Sequence, residues 1–303
     1  MNQRTIQTAI AVTGIGLHSG EPVNLAFYPQ PTDTGIIFER SDIIGSASVP
    51  ADAFLVQDTL MSSNLVLDDV RIGTVEHLLS AIAGLGIDNL LVRVSAAEIP
   101  IMDGSAAPFV DILLDAGIYE QEQPKKFLKI VRPVRVKIDD KWAELRPHDG
   151  FELNFEIDFD HPAFDKEQQH AQFCLSSQNF IETLSAARTF GFVKDIEMMR
   201  QNNLARGGSM ENAIVIDEMQ VLNAEGLRFM DEFVRHKILD ALGDLYLIGH
   251  PILGRFNAYK SGHALNNLLV REVLSDENNF EIVTFDDNVT APIDYLRMND
   301  AIV

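Results

Sequence analysis

The stretch EHLLSAIAGLG at 76–86 can be laid over RHKILDALGDL at 235–245, which aligns His77 with His236 and Gly84 with Gly243. The next pair of helix starts follows: DGSAAPFVDILL at 103–114 falls over SGHALNNLLVRE at 261–272, with 27 positions from His77 to Gly104 and 26 from His236 to Gly262. Repetition on this scale reads as two related halves. Working outward, Val23 to Phe27, Ile36 to Phe38 and Asn89 to Val94 read as strands in the first half, with Gly117 closing the second helix. In the second half FLKIVRPVRVKIDD at 127–140 and WAELRPHDGFELNFEIDF at 142–159 alternate apolar and polar residues, as half-buried antiparallel strands do. The pattern predicts an α+β fold with two layers per half and the helices of both halves meeting at one interface. A cleft there is the natural ligand site, with the two aligned histidines facing each other.

A chain of 303 residues fits about two domains of roughly 150 residues each. The polar run EQEQPKK at 120–126 reads as the linker between them. Residues are 46% apolar and 23% charged, which excludes disordered, collagenous and coiled-coil classes. With 24 Lys and Arg against 45 Asp and Glu, the net charge of −21 disfavours nucleic acid or anionic lipid as a partner. Cys174 is the single cysteine, so no intrachain disulfide and no Cys-rich structural zinc site is available. MNQRTIQTAIAVTG lacks a signal-peptide pattern, and LLSAIAGLGIDNLLV is interrupted by Asp88 and Asn89, short of the roughly 18 residues a span needs. A cytoplasmic chain with no transmembrane segment is expected, as is a monomer.

Within DEFVRHKILDALGDLYL at 231–247, Val234, Ile238, Ala241 and Leu245 form a core-facing helical stripe. His236 and Asp240, one turn apart on the other side, can offer a nitrogen and an oxygen to one divalent metal, although a lone HxxxD is more often a surface pair. Glu76 and His77 open the first helix, with Thr74 as its expected N-cap. Glu76 either answers the positive end of the helix dipole or serves as a base toward a metal-activated water. The HExxH pattern of thermolysin-like peptidases is absent, while a His, His, Asp set leaves zinc an open position, as catalytic sites do. His263 in KSGHALNN, with Ser261 as candidate cap, falls in the first turn of a helix whose dipole disfavours imidazolium. Asp244, one turn beyond Asp240, is available to hold it protonated. His148, His161, His170 and His250 sit beside proline or turn residues and need no functional explanation.

TGIGLHSG at 13–20, TVEHLLSAIAGLGIDN at 74–89, IPIMDGSAAPF at 99–109, ARTFGF at 187–192, the 231–247 segment and YKSGHALNN at 259–267 together resemble the UDP-3-O-acyl-N-acetylglucosamine deacetylases. These zinc amidases commit sugar to lipid A synthesis in Gram-negative bacteria. The resemblance spans essentially the whole chain. It implies two similar two-layer βααβ sandwich domains with the active site between them, each bearing a small insert. We expect them at 1–122, with an insert near 57–72, and at 123–303, with an insert near 191–222. It implies one catalytic Zn²⁺ held by His77, His236 and Asp240, Glu76 as general base, His263 as acid partner oriented by Asp244, and Thr189 donating to the carbonyl oxygen. Lys237 and Lys260 are implied near the anionic part of an acylated UDP-sugar, with Lys141 and Phe159 near its diphosphate and uracil. An apolar passage for the acyl chain is implied from about Gly191 to Leu222, with Phe190, Phe192 and Met61 nearby. Arg206 departs from the apolar residue expected there and puts the local lining in question. Two other readings keep part of the pattern: a zinc amidase for a different N-acyl sugar or a peptide, and a non-enzymatic lipid or nucleotide binder, which needs neither Glu76 nor His263.

Overall fold

The computed structural model describes residues 1–201, 204–285 and 292–296, apart from the side chains of Glu197 and Arg200. Residues 202 and 203 of the expected second insert, and 286–291 and 297–303 of the expected second domain, lie outside the described residues.

The first half runs β1 (Asn2–Ile6), β2 (Ile10–Ile15), β3 (Pro22–Pro29), β4 (Ile36–Arg40), β5 (Val49–Pro50), β6 (Val56–Asp58), β7 (Asn64–Leu67), β8 (Val70–Ile72), α1 (Glu76–Leu85), β9 (Leu90–Val94), α2 (Ala107–Asp115) and β10 (Ile118–Pro124). Its main sheet has the order β2-β3-β9-β4-β5, with β9 antiparallel to β3 and parallel to β4. Val23, Leu25 and Phe27 alternate inward along β3 and are fully buried. Each such side chain contributes roughly 1.5–3 kcal/mol by leaving water.

The second half runs β11 (Phe127–Ile130), β12 (Val134–Ile138), β13 (Lys141–Arg146), β14 (Phe151–Glu156), β15 (His170–Cys174), α3 (Ser177–Thr183), β16 (Phe190–Phe192), α4 (Val193–Gln201), β17 (Ile214–Ile216), α5 (Glu232–Tyr246), β18 (Ile252–Tyr259), α6 (His263–Leu274) and β19 (Phe280–Val283). Here β18 is antiparallel to β13 and parallel to β14, while β12 flanks β13 and β15 flanks β14. The resulting order, β12-β13-β18-β14-β15, reproduces that of the first half strand for strand. β11 and β19 extend the sheet beyond the repeat.

Helices sit at the same places in both halves: α1 and α5 precede the central strand, α2 and α6 follow it. The fold is therefore α+β with a duplicated sandwich. Smaller sheets interrupt both copies before the first of these helices, β6-β7-β8 in one and β16-β17 in the other. Among the described residues, no helix is long and apolar enough to cross a membrane.

α1 and α5 pack against each other at the centre of the molecule. All ten residues of α1 are buried, which fits a helix that is apolar on nearly every side. Contact with α5 is closest at Gly243, where a Cβ would stand 2.0 Å from the carbonyl oxygen of Glu76. Only glycine permits that approach. Gly84, its counterpart in the repeat, faces the Phe180 ring instead, 2.2 Å from where a Cβ would be.

Three local expectations are corrected. The polar 120–126 run is no free linker, because Ile118–Pro124 forms β10 against β1. Its inward polar groups have partners: Gln121 accepts from Asn89, and Lys125 donates to the carbonyl of Gly86 and to Asp88. Thr74 does not cap α1. The boundary residue is Val75, and Thr74 takes φ 58°, with its buried hydroxyl unpartnered among the described residues. Ser261 likewise does not cap α6; Gly262 does, while the Ser261 hydroxyl donates to Asn266 Oδ1 at 2.6 Å. The side of α5 carrying His236 and Asp240 faces α1 and both residues are buried, which excludes the surface-pair alternative for HxxxD.

Candidate active site

Where α1 meets α5, three side chains converge. His77 Nε2 lies 3.4 Å and His236 Nε2 3.3 Å from the same oxygen, Oδ1 of Asp240. The three ligand-type atoms are within 4.8 Å of one another and all three residues are buried. The histidine rings meet edge to face at 5.0 Å between centroids. Burial pushes His236 down to about 3, so its imidazole is neutral and carries a lone pair. Its Nδ1 faces the Ala187 carbonyl at 3.1 Å, which assigns that nitrogen as the donor and leaves Nε2 to bind. Burial by itself would raise Asp240, but its interactions with His236 and with the Lys237 ammonium outweigh it and hold the carboxyl well below its ordinary range. Lys237 Nζ takes the other oxygen, Oδ2, at 2.5 Å. Two imidazoles and one carboxylate suit a divalent cation of the zinc type.

Two titratable side chains flank this set. Glu76 is buried beside His77, and burial raises its pKa. Its Oε2 accepts from the amide of Ser63 at 3.0 Å. Across from it, His263 Nδ1 is 2.9 Å from Asp244 Oδ2. Burial alone would lower His263, yet the Asp244 charge and hydrogen bond raise it to about 9. Asp244 also accepts from Asn266 Nδ2 at 2.8 Å and from the Ser63 hydroxyl at 2.5 Å. Three side chains thus converge on the Asp244 carboxylate and fix its orientation.

Thr189 follows the segment that orients His236. Its neighbour Arg188 is clamped to Glu232, the first residue of α5, by Nε at 2.9 Å and by its backbone amide at 3.0 Å. Thr189 borders a cavity of about 340 Å³ whose walls include Leu17, Met61, Phe190, Ile196, Met199 and Val215. The Phe190 ring centroid is 6.2 Å from that of His236, so this apolar cavity begins beside the polar cluster. Phe192 does not line it. Two residues along β16, Phe192 packs instead against Phe159, His161 and Phe164. Arg206 does not line it either; the residue is exposed while Ala205 and Gly208 form the wall.

The lysines are dispersed rather than pooled. The register that pairs Trp142 with Tyr259 sets Lys141 beside Lys260 at one end of the sheet. Lys260 already contacts Asp140 at 2.9 Å and Asp158 at 3.4 Å. Phe159 follows Asp158 and is partly buried against Phe164, 4.6 Å between centroids. A basic pocket made of the three lysines is therefore offset by Asp140, Asp158 and Asp240. Sequence reasoning missed Ser63, Asn266 and the Ala187 carbonyl. It quoted His18 in TGIGLHSG without a role, although His18 lines the cavity. Asn266, three residues after His263, had a helical-spacing signal; Ser63 had none.

A duplicated α+β sandwich with a buried His, His, Asp set between its halves, and a carboxylate and an imidazole on either side, is the architecture of a metal-dependent hydrolase. The model of one family, UDP-3-O-acyl N-acetylglycosamine deacetylase, matches residues 3–275. The chain belongs to that family. It is 79% identical to the UDP-3-O-acyl-N-acetylglucosamine deacetylase of Psychrobacter arcticus over 99% of this chain and 93% of the relative. The protein of that name from Acinetobacter baumannii is 57% identical over 98% of this chain and 99% of its own length. That from Shewanella frigidimarina is 55% identical over 97% and 96%.

Proposed function

We propose that this chain hydrolyses the N-acetyl group of a UDP-3-O-(3-hydroxyacyl)-N-acetylglucosamine, giving acetate and the free glucosamine nucleotide, the committed step of lipid A biosynthesis. The observation that carries the reading is the convergence of His77, His236 and Asp240 next to Glu76 and opposite the His263–Asp244 pair. His77, His236 and Asp240 would hold one zinc ion, and such an ion acts as a Lewis acid toward the acetamide and lowers the pKa of a neighbouring water. Glu76, ionised, takes a proton from the attacking water as the new C–O bond forms. Thr189 donates its hydroxyl to the carbonyl oxygen while negative charge grows there. His263, kept protonated by Asp244, gives its proton to the amine nitrogen as the C–N bond breaks.

Binding groups lie on two sides. The acyl chain enters the apolar cavity past Met61 and Phe190, the inserts near 57–72 and 191–222 forming its two walls. Lys237 sits beside Asp240, facing the reacting sugar. Lys260, Lys141 and Phe159, at the open end of the second sheet, take the diphosphate and uracil by exchanging the aspartate contacts of Lys260 for phosphate. We place the domain boundary near residue 122. The site is complete within one chain, which supports a monomer, and a single thiol with a nucleotide-sugar substrate supports a cytoplasmic enzyme. Acetate release from the acylated UDP-sugar, measured with and without a chelator, tests the proposal. Release abolished by the chelator and restored by zinc is expected; no release from the zinc-loaded protein overturns it.

A further inference from the structure

Ser63 lies between the exposed Met61 and strand β7, in the first of the two inserts, and is 1% exposed. Its three polar groups go to three places. The amide donates to Glu76 Oε2 at 3.0 Å, and the hydroxyl donates to Asp244 Oδ1 at 2.5 Å. The carbonyl accepts from the amide of Val75 at 3.4 Å, at the foot of α1. One residue thus contacts the base of one half and the carboxylate behind the acid of the other. We infer that Ser63 is a positioning residue of the reaction, fixing Glu76 and the His263–Asp244 pair relative to each other through one backbone and one side-chain donor. The inference rests on the roles proposed above for Glu76, His263 and Asp244.

The physical case begins at Asp244. Its Oδ2 is occupied by His263 Nδ1 and Asn266 Nδ2, so the Ser63 hydroxyl is the donor to Oδ1. Without it, one oxygen of a carboxylate buried to 1% exposure would lose its donor, an unsatisfied acceptor that is costly in the interior. An Asp244 anchored through one oxygen alone orients His263 less firmly. The segment presenting Ser63 is rigidly built. Asn64 Nδ2 donates to the carbonyls of Asp58 and Ser62 and to the Ser62 hydroxyl. The Asn64 Oδ1 sits 2.3 Å from where a Cβ on Gly73 would stand. The backbone therefore holds its place when only the Ser63 hydroxyl is changed, and the contact to Glu76 survives.

The test measures steady-state kinetics of the metal-loaded full chain with the acylated UDP-sugar. Ser63→Ala should lower kcat by roughly 10- to 100-fold, the worth of a hydrogen bond to a charged group, and leave KM and metal content near wild type. Ser63→Thr, which keeps the hydroxyl, should recover most of the rate. Ser63→Val, nearly the same shape as threonine but without the hydroxyl, should not; this pair decides the matter if the alanine variant folds poorly. In an Asp244→Asn background, Ser63→Ala should cost no more than about two-fold, because partners in one network are not additive. Wild-type kcat in Ser63→Ala, equal rates for the threonine and valine variants, or a full additive loss in the double variant would each overturn the inference. An Asp244→Asn enzyme as fast as wild type would instead overturn the acid assignment on which it stands.

Discussion

The halves share a strand order and helix placement, yet they divide the site unequally. α1 presents Glu76 and His77 as its first two residues, while α5 presents His236 as its fifth and continues through Asp240 to Asp244. The extra turn at the start of α5 explains the difference. It carries Glu232, which clamps Arg188 and so fixes the Ala187 carbonyl against His236 Nδ1. His77 has no such support: its buried Nδ1 is unpartnered among the described residues. A duplicated scaffold thus supplies one pre-oriented pair, His236 with Asp240, and one histidine from across the interface, and the three together could hold a metal ion.

The comparison is broken most severely at the metal. His236→Ala should lose the ion and nearly all activity, read by elemental analysis of the purified variant. Even loss of a supporting hydrogen bond to a ligand costs about 10–100-fold in metal affinity, and loss of the ligand itself costs more. Normal occupancy would show that the second half does not anchor the ion. Next comes the base from the first half. Glu76→Gln should keep its metal and fold while kcat falls roughly 10²- to 10⁴-fold. Parallel loss of metal would mean that Glu76 is a ligand, and that the first half contributes two of them.

Both inserts wall the cavity, Met61 from one and Phe190 and Val215 from the other, so the acyl chain tests them together. Each buried CH₂ is worth about 0.8 kcal/mol, so shortening the chain by four methylenes should lower kcat/KM by roughly two orders of magnitude. Equal efficiency for long and short chains would remove the passage.

The paired helices of both halves and the central strand of the first were legible because apolar periodicity survives wherever one face meets a core; the central strand of the second, β18, was not read. The His, His, Asp set was legible once the repeat aligned His77 with His236. What escaped was polar and satisfied at long range. β10 looked like a linker because the partners of Gln121 and Lys125 lie more than thirty residues away. Thr74 looked like a cap because its left-handed backbone leaves no mark in sequence. Ser63, a small residue in an irregular insert, acquires meaning only when Asp244, 181 positions later, folds against it.

A smaller effect separates the acid from the base by pH. Glu76 must be ionised, and burial places its pKa above the ordinary carboxylate value, so activity should fall off on the acid side at a higher pH than for a solvated glutamate. His263 must be protonated, and with its pKa raised to about 9 it can donate until pH rises through that value. Asp244→Asn removes the charge that raises it and leaves burial, which lowers it. The alkaline limb of kcat/KM should therefore move to lower pH by more than about one unit. An unmoved limb, with fold and metal content intact, would assign it to another group.

The smallest effect is expected at Arg206, and it tests whether the second insert narrows the passage. An arginine where an apolar residue is expected suggests a polar constriction, in which case Arg206→Leu would lengthen the preferred acyl chain. The geometry argues otherwise. Residue 206 is exposed, its amide donates to the carbonyl of His18 at 3.3 Å, and its Cβ stands 3.3 Å from where a Cβ on Gly20 would be, so the side chain leaves the segment on the side of the TGIGLHSG loop. The wall is made by Ala205 and Gly208, whose small size sets the local width. Arg206→Leu should change stability by no more than about 0.5 kcal/mol, as exposed substitutions do, and leave the chain-length profile where it was. Ala205→Leu, which adds bulk to the wall itself, should shift that profile toward shorter chains. If the arginine variant shifts the profile and the alanine variant does not, the lining assigned to the second insert is wrong and the two inserts do not share the passage.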